Sequence, residues 1–380
     1  MSDLGSVLVL GGGPAGCVAA LTLAQGGISC RLLERNTEGV DKVCGEFLSP
    51  EAVVHLDALA FPWVRAQAST IRALRVENRG RTASMPLPFE GRSVARRFLD
   101  GWLLQTARDA GVEVELGVHV RNVERAGGHF ELTTDERKLG ARTLVLATGK
   151  HSLGEFHPRC PAQGPTVLGW KMNFHHLGQG LRRALHETLG LFFFEGGYGG
   201  ISRVGDDAAT VSLLVQPAIL QRHRETPLAL LQALASDASL LAQVLAEAEA
   251  IWDRPKTIAN LPYGHCDAGA EHNLFAVGDQ FAVLPSFTGT GMSFAMATGD
   301  LAARHILASS PATASPWQYA EEARAMARRV LRRALPLHRL LQRPAFARVA
   351  MTALGWVPQL VPMIARRTRV PEPFPAKGAA

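Results

Sequence analysis

The stretch SVLVLGGGPAGCVAALTLAQGGISCRLLER, residues 6–35, constrains this chain more than any other. Val7 to Leu10 form a continuous apolar run with the length and β-branching of a buried parallel strand. Gly11-x-Gly13-x-x-Gly16 follows at once, with Pro14 and Ala15 inside the turn. The small and apolar residues after Cys17 suit a helix packed on a sheet. Each glycine has its own task. Gly11 permits the tight turn, Gly13 lets a pyrophosphate approach the backbone, and Gly16 allows close helix–strand contact. The helix N-terminus supplies free N–H groups to the phosphate. Glu34 ends the next strand, 18 residues after Gly16, where its carboxylate can accept hydrogen bonds from ribose hydroxyls; Arg35 follows it. Such a strand–turn–helix–strand–Glu unit predicts an α/β fold that binds a dinucleotide. It does not by itself separate NAD from FAD.

Composition narrows the class. With 380 residues, of which 47% are hydrophobic, the chain is long enough for two fused lobes with a sizeable core. The net charge of +6 is modest and reads as solvated surface, so nucleic acid is not expected as a partner. Residues 4–30 carry no charge, but glycines and a proline in their middle argue for a buried strand–turn–helix and against a membrane span. The five cysteines (17, 30, 44, 160 and 266) lie far apart with no metal-ligand spacing. They read as free thiols of a reducing, cytoplasmic compartment, with no metal site. The N-terminus lacks the basic region of a signal peptide.

A second cluster lies far downstream, in HNLFAVGDQFAVLPSFTGTGMSFAMATGDLAARHIL, residues 272–307. Asp279 stands at a strand end, and the Pro285…Gly289-x-Gly291 loop delivers another helix N-terminus near Met292 and Ser293. The block resembles the GD…P…GxGxN segment of FAD-dependent aromatic hydroxylases and their relatives, the geranylgeranyl reductases and flavin halogenases. That resemblance implies FAD as cofactor. Gly278 and Asp279 would hold the ribityl chain, and Pro285, Gly289, Gly291, Met292 and Ser293 would lie beside the isoalloxazine. Further segments are similar to the same family. ARRFLDGWLLQTARDAGVEV resembles its Arg-x-x-Leu-Asp-x-x-Leu helix, which places Arg96 near the flavin. TLVLATGKHS resembles the strand that returns to the nucleotide site, bringing Thr148 and Gly149 there. KVCGEFLSP, residues 42–50, resembles the loop that lies against the flavin in geranylgeranyl reductases. Cys44 and Gly45 are therefore expected at the cofactor, with Cys44 and Glu46 as candidate catalytic residues. LFFFEGGYGGISRVGDDAATVSLLV resembles the substrate-domain sheet of the same branch, and Tyr198 within it is a third catalytic candidate.

The resemblance also has departures. Hydroxylases that bind NADPH directly carry Asp-Gly where this chain has Thr148-Gly149, which favours reductase-like members. The halogenase Trp-x-Trp-x-Ile-Pro element is not found, which argues against halogenation. Glutathione-reductase-type enzymes place a Cys-x4-Cys pair near residue 44, but Cys44 has no partner before Cys160, which excludes dithiol exchange. His151 reads as a loop histidine bonded to backbone. Of Trp170 and Lys171, strand alternation puts one toward the flavin cavity and the other away.

The expected architecture is a Rossmann-like FAD-binding domain of glutathione-reductase/hydroxylase type with an inserted β-rich substrate domain and a C-terminal helical tail. Residues 1–155 supply the first part of the FAD domain, with a substrate-domain excursion near 71–94. Residues 160–265 form the substrate domain, 270–310 the returning FAD segment, and 317–370 the tail. Prolines 336, 344, 358 and 362 are expected to break that tail into short helices, and its basic face suits a lid or a membrane-surface contact. The expected function is an FAD-dependent oxidoreductase of specialised metabolism acting on a lipophilic or aromatic small molecule, free or carrier-bound. Electrons would come from NAD(P)H or a partner reductase. The superfamily as a whole leans to a monooxygenase. A carbon–carbon double-bond reductase of geranylgeranyl-reductase type is the alternative, and a non-catalytic flavin-binding protein is a third.

Overall fold

The computed structural model describes residues 4–37, 39–151, 153, 156, 167–223, 226, 228–267, 271–309, 316–341 and 360–370, and two sheets organise them. In the first sheet Leu4–Leu10 lies between Cys30–Glu34 and Lys138–Leu146, both parallel to it. Glu113–Leu116 extends the sheet beyond Cys30–Glu34, and Leu274–Ala276 pairs in parallel with the end of Lys138–Leu146. One neighbour of the central strand is next in sequence and the other arrives after a long excursion. The carboxyl end of Leu4–Leu10 is therefore a topological switch point, where a crevice opens between the diverging connections. Gly11 sits there, its N–H donating to the Leu33 carbonyl at 2.8 Å.

Two helices cover one face of this sheet: Pro14–Gln25 after the glycine turn and Gly291–Ala308 after the downstream loop. They cross almost backbone on backbone, since a Cβ at Gly299 would fall 2.2 Å from the Ala15 carbonyl oxygen. The helix Arg96–Asp109 packs beside them through Leu99, Leu103 and Leu104.

The second sheet draws on three separate stretches of chain. Its order is Glu249–Ala250, Leu168–His175, Ala208–Val215, Gly197–Arg203, Thr188–Phe194, Ser69–Asn78, Arg81–Ser93 and Phe47–Leu48. Alternation gives it two different faces. Trp170, Met172, Phe192 and Val211 point to a core shared with helices Ala229–Leu234 and Ser239–Glu247. Phe193, Tyr198 and Leu214 point the other way, into a separate apolar cluster with Leu74, Val76 and Tyr263.

The tail differs from the sequence expectation. Pro316–Leu341 is one helix of 26 residues that runs through Pro336 without breaking. A proline removes one backbone donor and crowds the preceding turn. Here the helix is held on both sides of that point by buried Val330, Ala334 and His338. Pro362 falls in the first turn of Leu360–Arg367, where a missing N–H costs least. Pro344 and Pro358 lie outside the described residues. Among the described residues no helix is long and apolar enough to cross a membrane.

Candidate active site

A cavity of about 960 Å³ runs from the glycine turn to the inner face of the second sheet. That is the upper end of the range for small-ligand sites, about 300–1,000 Å³, as expected of a site that takes a cofactor and a substrate together. Gly11, with φ +111°, closes the turn; a Cβ there would meet the Ala147 carbonyl oxygen at 2.4 Å. A Cβ at Gly16 would lie 1.9 Å from the Gly11 carbonyl oxygen. At Gly13 a Cβ would touch nothing within 4 Å, because that position faces the cavity. The three glycines thus divide into two that serve the fold and one that leaves room for a ligand.

Glu34 is buried at the end of its strand, its Oε2 accepting the Gly12 N–H at 2.7 Å and its Oε1 the Asn36 N–H at 3.0 Å. Burial works against its charge, but Lys42 at 3.7 Å and the two amides hold the carboxyl below its usual range. Arg35 is exposed and meets Nε2 of His151 at 2.7 Å, so His151 belongs to the outer rim of the nucleotide end. Thr148 donates to the His151 carbonyl at 3.0 Å and receives the Gln280 amide, which also ties down Gly149 at 2.9 Å.

These residues fit a flavin dinucleotide. Two helix N-termini, at Gly13–Pro14 and at Thr290–Gly291, reach the same cavity, neither satisfied by a side-chain cap. Gly291, like Gly13, would place a Cβ in open space. The free N–H groups and helix dipoles favour a diphosphate. Glu34 stands ready for ribose hydroxyls at one end, and Asp279 lines the cavity beyond the turn.

The Cys44–Glu46 loop lies between this region and the second sheet. Ser202 donates to the Gly45 carbonyl at 3.0 Å, and the Glu46 N–H points to the Cys44 sulfur at 3.3 Å. Cys44 lines the cavity next to Arg96. Arg96 grips Asp100 through two hydrogen bonds of 2.8 Å. Burial opposes the guanidinium charge, yet Asp100, with Cys44 beside it, holds Arg96 above its ordinary pKa.

Glu46, the other catalytic candidate of this loop, also lines the cavity. It is fully buried at φ +60°, its Oε1 lies 2.7 Å from Lys171 Nζ, and the same oxygen accepts the Arg96 N–H at 2.9 Å. The carboxylate is thereby engaged as the cap of helix Arg96–Asp109 and as an anchor to the second sheet. Lys171, not Trp170, is the residue that alternation turns toward the site, and it also faces Asp41 at 3.8 Å.

Tyr198 lies in the cavity wall with its ring centroid 6.3 Å from that of Phe287, and burial pushes its phenol well up. Sequence reasoning missed Tyr263, Ser286 and Lys150. Tyr263 and Ser286 share a hydrogen bond in the wall. Burial raises the Tyr263 phenol against the opposing influence of Lys150. Burial disfavours the charge on Lys150, but Asp279, Tyr263 and Cys44 together raise it. Its place directly after the Gly149 turn was a usable signal; nothing local marked Tyr263. Arg369 of the tail was missed too. It donates to the Thr288 carbonyl, lies over the Phe89 ring at 4.6 Å and faces Glu51 at 3.7 Å.

Among the residues expected at the cofactor, Gly13, Pro14, Ala15, Glu34, Arg35, Cys44, Gly45, Arg96, Thr148, Gly149, Gly278, Asp279, Gly289, Gly291 and Met292 line the cavity, as does Gly11. Gly16, Pro285 and Ser293 do not. Ser293 is buried with its hydroxyl donating to the Thr290 carbonyl at 2.9 Å, and the Pro285 carbonyl receives Thr288.

A family model described as pyridine nucleotide-disulphide oxidoreductase matches residues 5–184. The chain is 28% identical over 306 residues to digeranylgeranylglycerophospholipid reductase 2 of Methanopyrus kandleri, covering 78% of this chain and 75% of that protein. It is 27% identical over 319 residues to menaquinone reductase of Mycobacterium tuberculosis, covering 80% and 76%. The solved structure of a triple mutant of the flavin-dependent brominase Bmp2 superposes with a TM-score of 0.80 at 16% identity, covering 95% of this chain and 94% of that one. At that identity the likeness is one of fold. Cys17, Cys30 and Cys44 are free thiols, and Cys160 lies outside the described residues.

Proposed function

We propose that this chain, an FAD-dependent oxidoreductase similar in fold to flavin-dependent halogenases and to a geranylgeranyl bacteriochlorophyll reductase-like protein, reduces a carbon–carbon double bond in a long apolar molecule of isoprenoid type. The observation that carries this reading is the cavity itself. Beyond the glycine turn its wall becomes an extended apolar surface of Leu74, Val76, Leu191, Phe193 and Leu214, with Leu337 and Ile364 of the tail opposite. Such a surface suits a chain of methyl-branched carbons better than a small polar ring. The reading departs from the monooxygenase leaning of the sequence. The relatives that share sequence over most of the chain are named as reductases, one of an isoprenoid glycerophospholipid and one of menaquinone.

FAD, when bound, supplies hydride chemistry at a carbon centre. The glycine turn and the helix N-terminus at Gly13–Pro14 would hold its diphosphate, Glu34 its ribose, and the loop before Gly291 would lie beside its ring. Cys44, Arg96 and Lys150 set the polarity at the end of the cavity nearest the substrate. Tyr198 and Tyr263, whose phenols burial keeps neutral, orient an oxygen-bearing end of the substrate by donating hydrogen bonds. The tail closes the apolar side and excludes water. Thr148, its hydroxyl engaged by Gln280 and His151, favours electron supply by a partner reductase over direct NADPH binding.

The test is anaerobic reduction of the FAD-loaded protein, followed by mixing with geranylgeranyl glycerophospholipid in detergent micelles or with a menaquinone. Reoxidation of the flavin coupled to a product heavier by two hydrogens supports the reading. A product gained only in air and heavier by one oxygen shows a monooxygenase instead. Absence of any redox turnover with either lipid or with air marks a binding protein.

A further inference from the structure

The outer edge of the second sheet carries a cluster that serves neither the cofactor nor the cavity. His175 ends the strand Leu168–His175, and its cross-strand partner is Glu249. Nε2 of His175 lies 3.9 Å from Oε2 of Glu249. His176 follows in a bend at φ +56°, a left-handed backbone that few side chains adopt and histidine tolerates better than most. That turn brings the two imidazoles side by side, with centroids 4.0 Å apart and planes tilted by 35°. One ring nitrogen from each histidine and one oxygen of Glu249 all lie within 4.8 Å of one another. A tetrahedral ion with ligands at about 2.0–2.2 Å places its donor atoms about 3.4 Å apart, so modest rotations of exposed side chains close the site.

A second carboxylate stands behind. Asp207 lies 3.4 Å from Nδ1 of His176 and is itself fixed by the Leu177 N–H at 2.9 Å and by Arg182 at 2.5 Å. A carboxylate behind a ligating histidine fixes its ring and raises its basicity. Arg182 compensates the charge of Asp207, which leaves Glu249 as the anionic ligand.

We propose that His175, His176 and Glu249 bind one divalent transition-metal ion of the zinc, nickel or copper class, oriented by Asp207 and completed by water. Two imidazoles and a carboxylate select such ions over magnesium or calcium, which take oxygen ligands. The ion would staple the edge strand Glu249–Ala250 to the sheet, since its ligands lie on both strands.

The test uses FAD-loaded protein stripped with EDTA and dialysed against Zn2+, with bound zinc read by elemental analysis and affinity by calorimetry. The wild type should take up one equivalent that Glu249→Gln binds at least tenfold more weakly. The His175→Ala/His176→Asn double variant should lose that equivalent, the asparagine retaining tolerance for the left-handed backbone. Zn2+ should raise the melting temperature of the wild type and leave the double variant unmoved. Unchanged flavin content and circular dichroism show that the variants are folded. No zinc uptake by the wild type, equal uptake by the double variant, or equal affinity for Mg2+ each overturns the proposal.

Discussion

Gly13 and Gly16 stand three positions apart in one turn, yet replacing them should have opposite consequences. A Cβ at Gly16 would overlap the Gly11 carbonyl oxygen, whereas one at Gly13 would enter open cavity. Gly13 also has an extended backbone, φ −80° and ψ −178°, that any residue adopts. Gly13→Val should therefore give a folded protein with near-normal urea stability that retains no FAD after gel filtration, because the side chain takes the diphosphate's space. Gly16→Val should fail at folding itself. Normal flavin absorbance in Gly13→Val would show that the diphosphate lies elsewhere. At Glu34 the expected loss is graded. Removing a charged acceptor that also holds the Gly12 N–H should weaken FAD binding by about 1–3 kcal/mol and leave the flavin spectrum unchanged. Fluorescence titration of Glu34→Ala with FAD measures it, and a shifted spectrum at unchanged affinity would place Glu34 at the ring.

The Cys44–Glu46 loop behaves as an element because two strands of the second sheet and one helix hold it. The second sheet grips it through Lys171 and Ser202, and helix Arg96–Asp109 through the Arg96 amide. The Lys171–Glu46 pair is completely buried, so its worth is best judged by breaking it from one side and then from both. Lys171→Met leaves a buried carboxylate without its cation and should cost about 3–5 kcal/mol in urea unfolding. Adding Glu46→Gln to Lys171→Met removes the stranded charge while keeping an acceptor for Arg96, and should restore most of the loss. Equal instability of the single and double variants would mean that the pair does not hold the loop. Cys44, at the cavity wall, should react with a thiol reagent more slowly once FAD is bound, as labelling followed by peptide mass analysis reads. Equal rates in apo and holo protein would put the thiol outside the cofactor's reach.

At the scale of the whole molecule the tail helix completes the cavity, and His338 is a buried titratable group on it. It lies with its ring 4.8 Å from Tyr263 and 6.0 Å from Tyr198. Burial, aided by nearby Arg339, lowers its pKa from 6.5 to about 4. As pH falls below about 6.5 the unfolded chain takes the proton first, so stability declines until the folded state also protonates near pH 4. Between pH 7 and pH 5 this amounts to about 2 kcal/mol. The urea midpoint of the wild type should drop over that interval by more than that of His338→Phe. Identical drops in the two proteins would mean that His338 is not held neutral in the folded state.

The nucleotide half was legible because its determinants are local. A buried strand, a glycine turn and a strand ending on Glu34 fall within 30 consecutive residues, and backbone sterics alone restrict what they form. The downstream Asp279…Gly291 block was legible for the same reason, as strand, turn and helix start follow one another directly. What the tertiary structure decided were the choices that local physics leaves even. Alternation says that Trp170 and Lys171 face opposite ways, but only the helices packed on one side of the sheet settle which is which. Pro336 breaks an isolated helix, but burial on both flanks keeps this one whole. Glu46 gains its buried cation only because the fold brings Lys171, 125 positions later, within 2.7 Å. Tyr263 with Ser286, and His175 with Glu249, become neighbours through strand pairing and loop packing alone. Side chains distant in sequence acquire their chemistry from the charges and hydrogen bonds that folding places around them.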